Sequence, residues 1–208
     1  MKTLSFEDRQ NLTPSRALDL LIKGNERFVN NLSVNRDHKE LISTFSKEQK
    51  PYAFILGCID SRVPIEIVFD QGLGDLFVAR VAGNIINDDL IASAEFAVSI
   101  VGVKIIMILG HTNCGAIRGY LSGIRTGYLK NLMEKIEPAY LKYKEKIDGS
   151  ENPPDFLSMY NAIDTAEQLY NKSEIIKNAI HNHQILITSA IYDIETGKVS
   201  ILNKIPVK

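Results

Sequence analysis

The chain has 208 residues, with 24 Lys or Arg against 25 Asp or Glu, a formal net charge of −1, and 45% hydrophobic residues. This is the composition of a water-soluble globular protein. It leaves no basic footprint for nucleic acid, no apolar run of the ~18–20 residues that a membrane span needs, and, with 2 cysteines, no multi-disulfide scaffold.

The opening MKTLSFEDRQ has no apolar core of a secretory signal, so a cytoplasmic protein with reduced thiols is expected. Residues 1–12 are polar and expected to be loose. Thr13-Pro14 starts a helix, because Thr caps well and Pro suits the first helical position. Leu18, Leu21, Asn25 and Phe28 follow at helical spacing, and Leu20 and Val29 widen the stripe. Residues 52–57 and 76–81 read as short strands. Asn87 or Asp88 caps a helix running to about Ile100. Residues 103–109 are continuously apolar and predict a central strand buried on both faces.

A helix is expected after Cys114, and another over 129–147 interrupted near Pro138. Residues 150–155 read as a loop, 156–182 as helical, and 184–194 and 199–205 as strands around Thr196-Gly197. Strands alternating with helices predict an α/β fold: a mainly parallel central sheet, an antiparallel edge, and helices on both faces.

Both cysteines directly follow predicted strands. Cys58 ends the first apolar run, and Cys114 follows the central strand in a turn that also carries His111. Ligands collect beyond the carboxyl ends of parallel strands. Two thiolates and an imidazole suit Zn²⁺, and three protein ligands leave a fourth position open, as in catalytic sites. Such a centre is formally neutral. Its water should therefore ionise at a higher pH than on three histidines, and the metal should leave in acid. Asp60 lies two residues beyond Cys58, within reach of the same ion, and Arg62 two further on. A guanidinium can hold a carboxylate through two parallel bonds. Held by Arg62, Asp60 leaves the metal open; released, it closes the site. A lone cysteine is more often a small buried hydrophobe, and a lone Asp–Arg pair a structural contact; here the conjunction of the two turns favours the metal.

Cys58-Ile59-Asp60-Ser61-Arg62 and Gly110-His111-Thr112-Asn113-Cys114-Gly115 closely resemble the β-class carbonic anhydrases. The resemblance extends to residues 21–28, 75–84, 93–98 and 192–197. It implies one Zn²⁺ per subunit on Cys58, His111 and Cys114, with Asp60–Arg62 as a catalytic dyad and Asp60 on zinc only in a closed state. It implies a lyase reaction, the reversible hydration of CO₂ to bicarbonate and a proton by attack of zinc hydroxide. The alternative on the same scaffold is hydrolysis of CS₂ or COS.

The resemblance also places Gln49 as a substrate hydrogen-bond donor arriving from the partner subunit. Phe77 becomes an aromatic wall, Ala82 a small apolar position, Phe96 a replacement for a common Tyr, and Gly115 a point of close backbone approach. It implies a homodimer or homotetramer in which residues 1–34 form an extended helical arm packing on a partner, with 35–208 as one α/β domain. Ile59 replaces a small residue and should point away from the metal. Ile55 stands where one allosteric subgroup has a tryptophan of a second bicarbonate site, to which Arg80 would belong. An open, Asp60–Arg62-paired resting site with little bicarbonate inhibition is therefore expected.

The remaining features read as ordinary. Gly72-x-Gly74 is a turn rather than a dinucleotide loop. His181 and His183 sit at a helix end, His38 is solvated, and residues 142–146 form an exposed helix face.

Overall fold

The computed structural model describes residues 6–205. Two uninterrupted apolar runs form its centre. β1 (Ala53–Gly57) is buried at every position; β2 (Leu76–Arg80) pairs with it in parallel on one side, and β3 (Ile105–His111), also buried throughout, on the other. β4 (Leu186–Tyr192) adds in parallel to β3. β5 (Val199–Ile205) closes the far edge antiparallel to β4. The order is β2-β1-β3-β4-β5, which matches the predicted α/β class.

Successive side chains of a strand point to opposite faces. Ile55, Ile105, Met107 and Leu109 therefore join one core, with α2 (Pro14–Val29) and α4 (Ile65–Val68) laid over it. Phe54, Leu56, Ile106 and Ile108 join the other, under α5 (Asp88–Phe96), α8 (Pro153–Lys172) and α9 (Glu174–His181). A third cluster at the carboxyl end of the sheet packs α6 (Gly115–Leu121) and α7 (Leu129–Asp148) around both cysteines.

The predicted stripe of the first helix faces its own sheet. Ala17, Leu18, Leu20 and Leu21 are buried there, while Val29 is exposed. Asn25, also buried, donates to the carbonyls of Val68 (3.1 Å) and Gly197 (2.8 Å) and accepts from Val199 N–H (2.8 Å), tying α2 to α4 and to the β4–β5 turn. Gly24 lets the helix rest directly on the chain: a Cβ there would lie 1.8 Å from the Phe69 carbonyl oxygen.

Several elements depart from the sequence expectation. Part of the supposedly loose segment 1–12 forms α1 (Phe6–Gln10), residues 1–5 lying outside the described chain. Arg9 is the reason: its buried guanidinium donates to the carbonyls of Lys50 and Gly74 and pairs with Asp75 at 2.5 Å. α3 (His38–Phe45), capped by Asp37, occupies a polar stretch with one buried residue, Leu41; His38 is exposed, as expected. α7 continues through Pro138, where the carbonyl deprived of its N–H partner lies on the exposed face and water can satisfy it. The non-helical residue is Tyr143 instead. α8 begins at Pro153, inside the predicted loop, because Asn152 caps it. Ser173 then ends α8 and caps α9, splitting the expected long helix.

Gly24→Ala should lower stability by about 1–3 kcal/mol, the usual cost of overpacking. A urea midpoint equal to that of the unchanged chain would contradict the close approach of α2 to Phe69.

Candidate metal centre

The strand order makes the site. From β1 the chain passes to β2 on one side, then returns across β1 to β3 on the other. Beyond the carboxyl ends of β1 and β3 the connections leave in opposite directions, which opens the crevice where α/β sheets bind ligands. Gly57 is opposite Leu109, so Cys58 lies level with the end of β3 that carries His111. Asn113 adopts a positive φ of 54°, a conformation Asn tolerates. It turns the chain so that Cys114 can begin α6.

The result is a buried cluster: the ligand atoms of Cys58, His111 and Cys114 all lie within 4.8 Å of one another. His111 Nδ1 lies 2.9 Å from the Thr112 carbonyl. A carbonyl only accepts, so Nδ1 carries the proton and Nε2 keeps its lone pair. That Nε2 is buried and has no hydrogen-bond partner among the described residues. An orphaned imidazole nitrogen beside two thiols fits a soft or borderline metal ion.

The thiols are electrostatically unequal. The hydrogen bond from Cys114 pulls Cys58 toward the thiolate, helped by the backbone of Asp60 and Gly83. Gly83 N–H lies 3.4 Å from Cys58 Sγ. Cys114 is pushed up by the same bond to Cys58 and by burial. Both cysteines are free.

Arg62 clasps Asp60 bidentately, Nε to Oδ1 at 2.9 Å and Nη2 to Oδ2 at 2.8 Å, and its backbone N–H adds a third bond at 3.0 Å. Chiefly through the Arg62 bonds, the Asp60 carboxyl is held down to about 2. Nη2 of Arg62 also reaches the Asn113 carbonyl, 3.3 Å away, linking the two turns. Ile59 is 60% exposed and clear of the cluster, as expected.

The expected substrate residues divide. Ala82 sits in the 3₁₀ turn Ala82–Asn84, whose Gly83 contacts Cys58. Gly115 is the first residue of α6, with open space beside its Cα. Gln49, Phe77 and Phe96 do not reach the cluster within one chain. Gln49 precedes β1, and Phe77 lies opposite Phe54. Four residues of strand, roughly 13 Å, separate Phe54 from Cys58. Phe77 and Phe96 instead meet each other, ring centroids 6.4 Å apart. They line an apolar groove of about 450 Å³ on the open β2 side of the sheet.

Sequence reasoning missed the groups that brace the two turns. Arg80 donates to the carbonyls of Cys58 and Asp60. Asn161 Nδ2 donates to the Gly83 carbonyl at 2.8 Å, and Asp155 accepts from Asn113 N–H at 2.6 Å. No spacing rule joins residues 42 or 78 positions apart. The available signal for Asp155 was its place just after a proline pair, at a helix start.

A family model described as carbonic anhydrase matches residues 53–199. Carbonic anhydrase 2 of Mycobacterium tuberculosis is 34% identical over 204 residues, covering 94% of this chain and 96% of the relative. A β-carbonic anhydrase of Aspergillus fumigatus superposes with a TM-score of 0.73 at 26% identity, over 91% of this chain and 90% of that one. One of two tetrameric β-carbonic anhydrases of Sordaria macrospora shares the fold, with a TM-score of 0.73 at 23% identity over 90% of this chain and 98% of that one.

Proposed function

The chain belongs to the carbonic anhydrase family, in its β class, and from that premise we propose that it hydrates CO₂ reversibly to bicarbonate and a proton, using one zinc ion per subunit. The observation that carries this reading is the convergence of Cys58, His111 and Cys114 within 4.8 Å, beside a carboxylate whose two oxygens are both engaged by Arg62. Zinc, when bound by those three residues, supplies the Lewis acidity that makes water a nucleophile near neutral pH.

The chain's own groups do the rest. Two thiolates balance the ion's charge, and His111 presents Nε2 because Thr112 fixes its tautomer. Asp60, ionised and held by Arg62, would accept a hydrogen bond from the nucleophilic water and so orient it toward CO₂. With both of its oxygens engaged by Arg62, Asp60 would leave the fourth position of a bound ion to solvent. Ala82 and Gly115 leave room for a small apolar substrate. The two free thiols fit a reducing compartment, and the cytoplasm is the proposed location. Among the described residues, no helix is long and apolar enough to cross a membrane.

A second copy of the chain completes the pocket. β2 is an edge strand. A two-fold axis perpendicular to that edge would set neighbouring β2 strands antiparallel. The end of one chain that bears Gln49, Phe77 and Phe96 then faces the metal centre of the other. Gln49 donates a hydrogen bond to the substrate, and the two rings wall it. The same second copy gives the arm, residues 1–34, a surface beyond the one α2 already covers.

Chelation should abolish stopped-flow CO₂ hydration at mildly alkaline pH, and added zinc should restore it; Cys58→Ala and Cys114→Ala should lose both metal and turnover. Activity indifferent to chelation would refute the reading. Asp60→Asn should keep its zinc yet lose turnover by roughly 100-fold or more, the usual scale for a missing proton-handling group; a full rate dismisses its role. Hybrids of Gln49→Ala with Cys114→Ala should recover part of the wild-type rate that neither variant has alone. No recovery on mixing and refolding would place Gln49 outside the neighbour's site.

A further inference from the structure

Arg80 ends β2 and reaches across to the turn that follows β1. Its Nε donates to the Cys58 carbonyl at 2.8 Å and its Nη2 to the Asp60 carbonyl at 2.6 Å. These carbonyls belong to the 58–59 and 60–61 peptide planes. Fixing both planes sets the direction in which the Asp60 side chain leaves the backbone.

The side chain of Ile59, at the middle of the turn, does not do this job, because it is 60% exposed. Among the described residues, the only other bond that Asp60 O receives is from Val63 N–H at 3.0 Å, inside the same turn and free to shift with it. Cys58 is anchored separately, through Gly57 O to Val81 N–H and through Sγ to Gly83 N–H. The effect of Arg80 therefore falls mainly on Asp60. The planar fork of arginine can serve two carbonyls at once; a lysine ammonium on a flexible stem cannot reproduce that geometry.

We infer that Arg80 is a positioning residue, which acts through the Cys58–Asp60 turn to keep the Asp60 carboxylate in register with the metal centre and does not itself touch substrate. This rests on the function proposed above. It also gives Arg80 a different task from the second bicarbonate site that the family resemblance suggested: its Nε and Nη2 serve the turn, and Ile55, at the tryptophan position, is fully buried core.

The test uses the zinc-loaded full chain. Arg80→Ala should lower kcat roughly 10–100-fold, the scale of a misplaced catalytic group, with KM, zinc content and melting temperature little changed. Arg80→Lys should fall between Arg80→Ala and wild type. In the Asp60→Asn background, Arg80→Ala should cost nothing further, because residues acting as a unit are not additive. A wild-type kcat in Arg80→Ala, or losses that multiply in the double variant, would overturn the inference. If Arg80→Ala does not fold, Arg80→Lys decides alone: a reduced kcat at full zinc content supports the inference, and an unchanged one overturns it. The wild-type rate, measured in the same series, separates the two ideas. An inactive wild type overturns the proposed function and this inference with it; an active wild type matched by Arg80→Ala overturns this inference alone.

Discussion

The parallel pairing of β1 with β3 is the constraint on which everything else depends. Register sets Gly57 against Leu109, and neighbouring strands lie about 4.8 Å apart. Two turns that are 53 residues apart in sequence, judged by Cys58 and His111, therefore open side by side. A slip of one residue would turn every β1 side chain to the opposite face and carry Cys58 away from His111. The two-sided burial of β1 opposes such a slip, since Ile55 and Leu56 would have to exchange cores.

Around that pairing the protein places polar groups where apolar packing cannot act. The turns carry carbonyls, thiols and a carboxylate, and directed bonds hold several of these groups: Asp60 by Arg62, Cys58 Sγ by Gly83 N–H, Asn113 by Asp155, Gly83 by Asn161. The bond from Arg62 to the Asn113 carbonyl joins the two turns to each other. Such a shell fixes the geometry of a metal site as much as the ligands themselves do.

The central strands and the two ligand turns were legible in the sequence. Continuous apolar runs have one stable home in a covered sheet, and a Cys at each end stands out against 2 cysteines in the whole chain. The antiparallel last pair was legible from the Thr196-Gly197 turn. Less legible were features decided by distant partners. Arg9 orders α1 through Asp75, 66 residues away. α7 tolerates Pro138 because the lost bond faces water. The roles of Phe77 and Phe96 depend on which edge of the sheet they reach. Spacing cannot show that, because β2 is placed beside β1 by topology rather than by its own sequence. Arg80 carried a motif-level resemblance, yet its bonds to Cys58 and Asp60 became visible only with the backbone in place.

The most direct measurement is diffraction from zinc-loaded crystals near neutral pH, with anomalous data at the zinc edge. The account predicts one peak per chain, bonded to Cys58 Sγ, Cys114 Sγ and His111 Nε2, with Asp60 still held by Arg62 and solvent in the fourth position. A peak elsewhere, no peak in fully loaded protein, or Asp60 seated on the ion in place of solvent would contradict it.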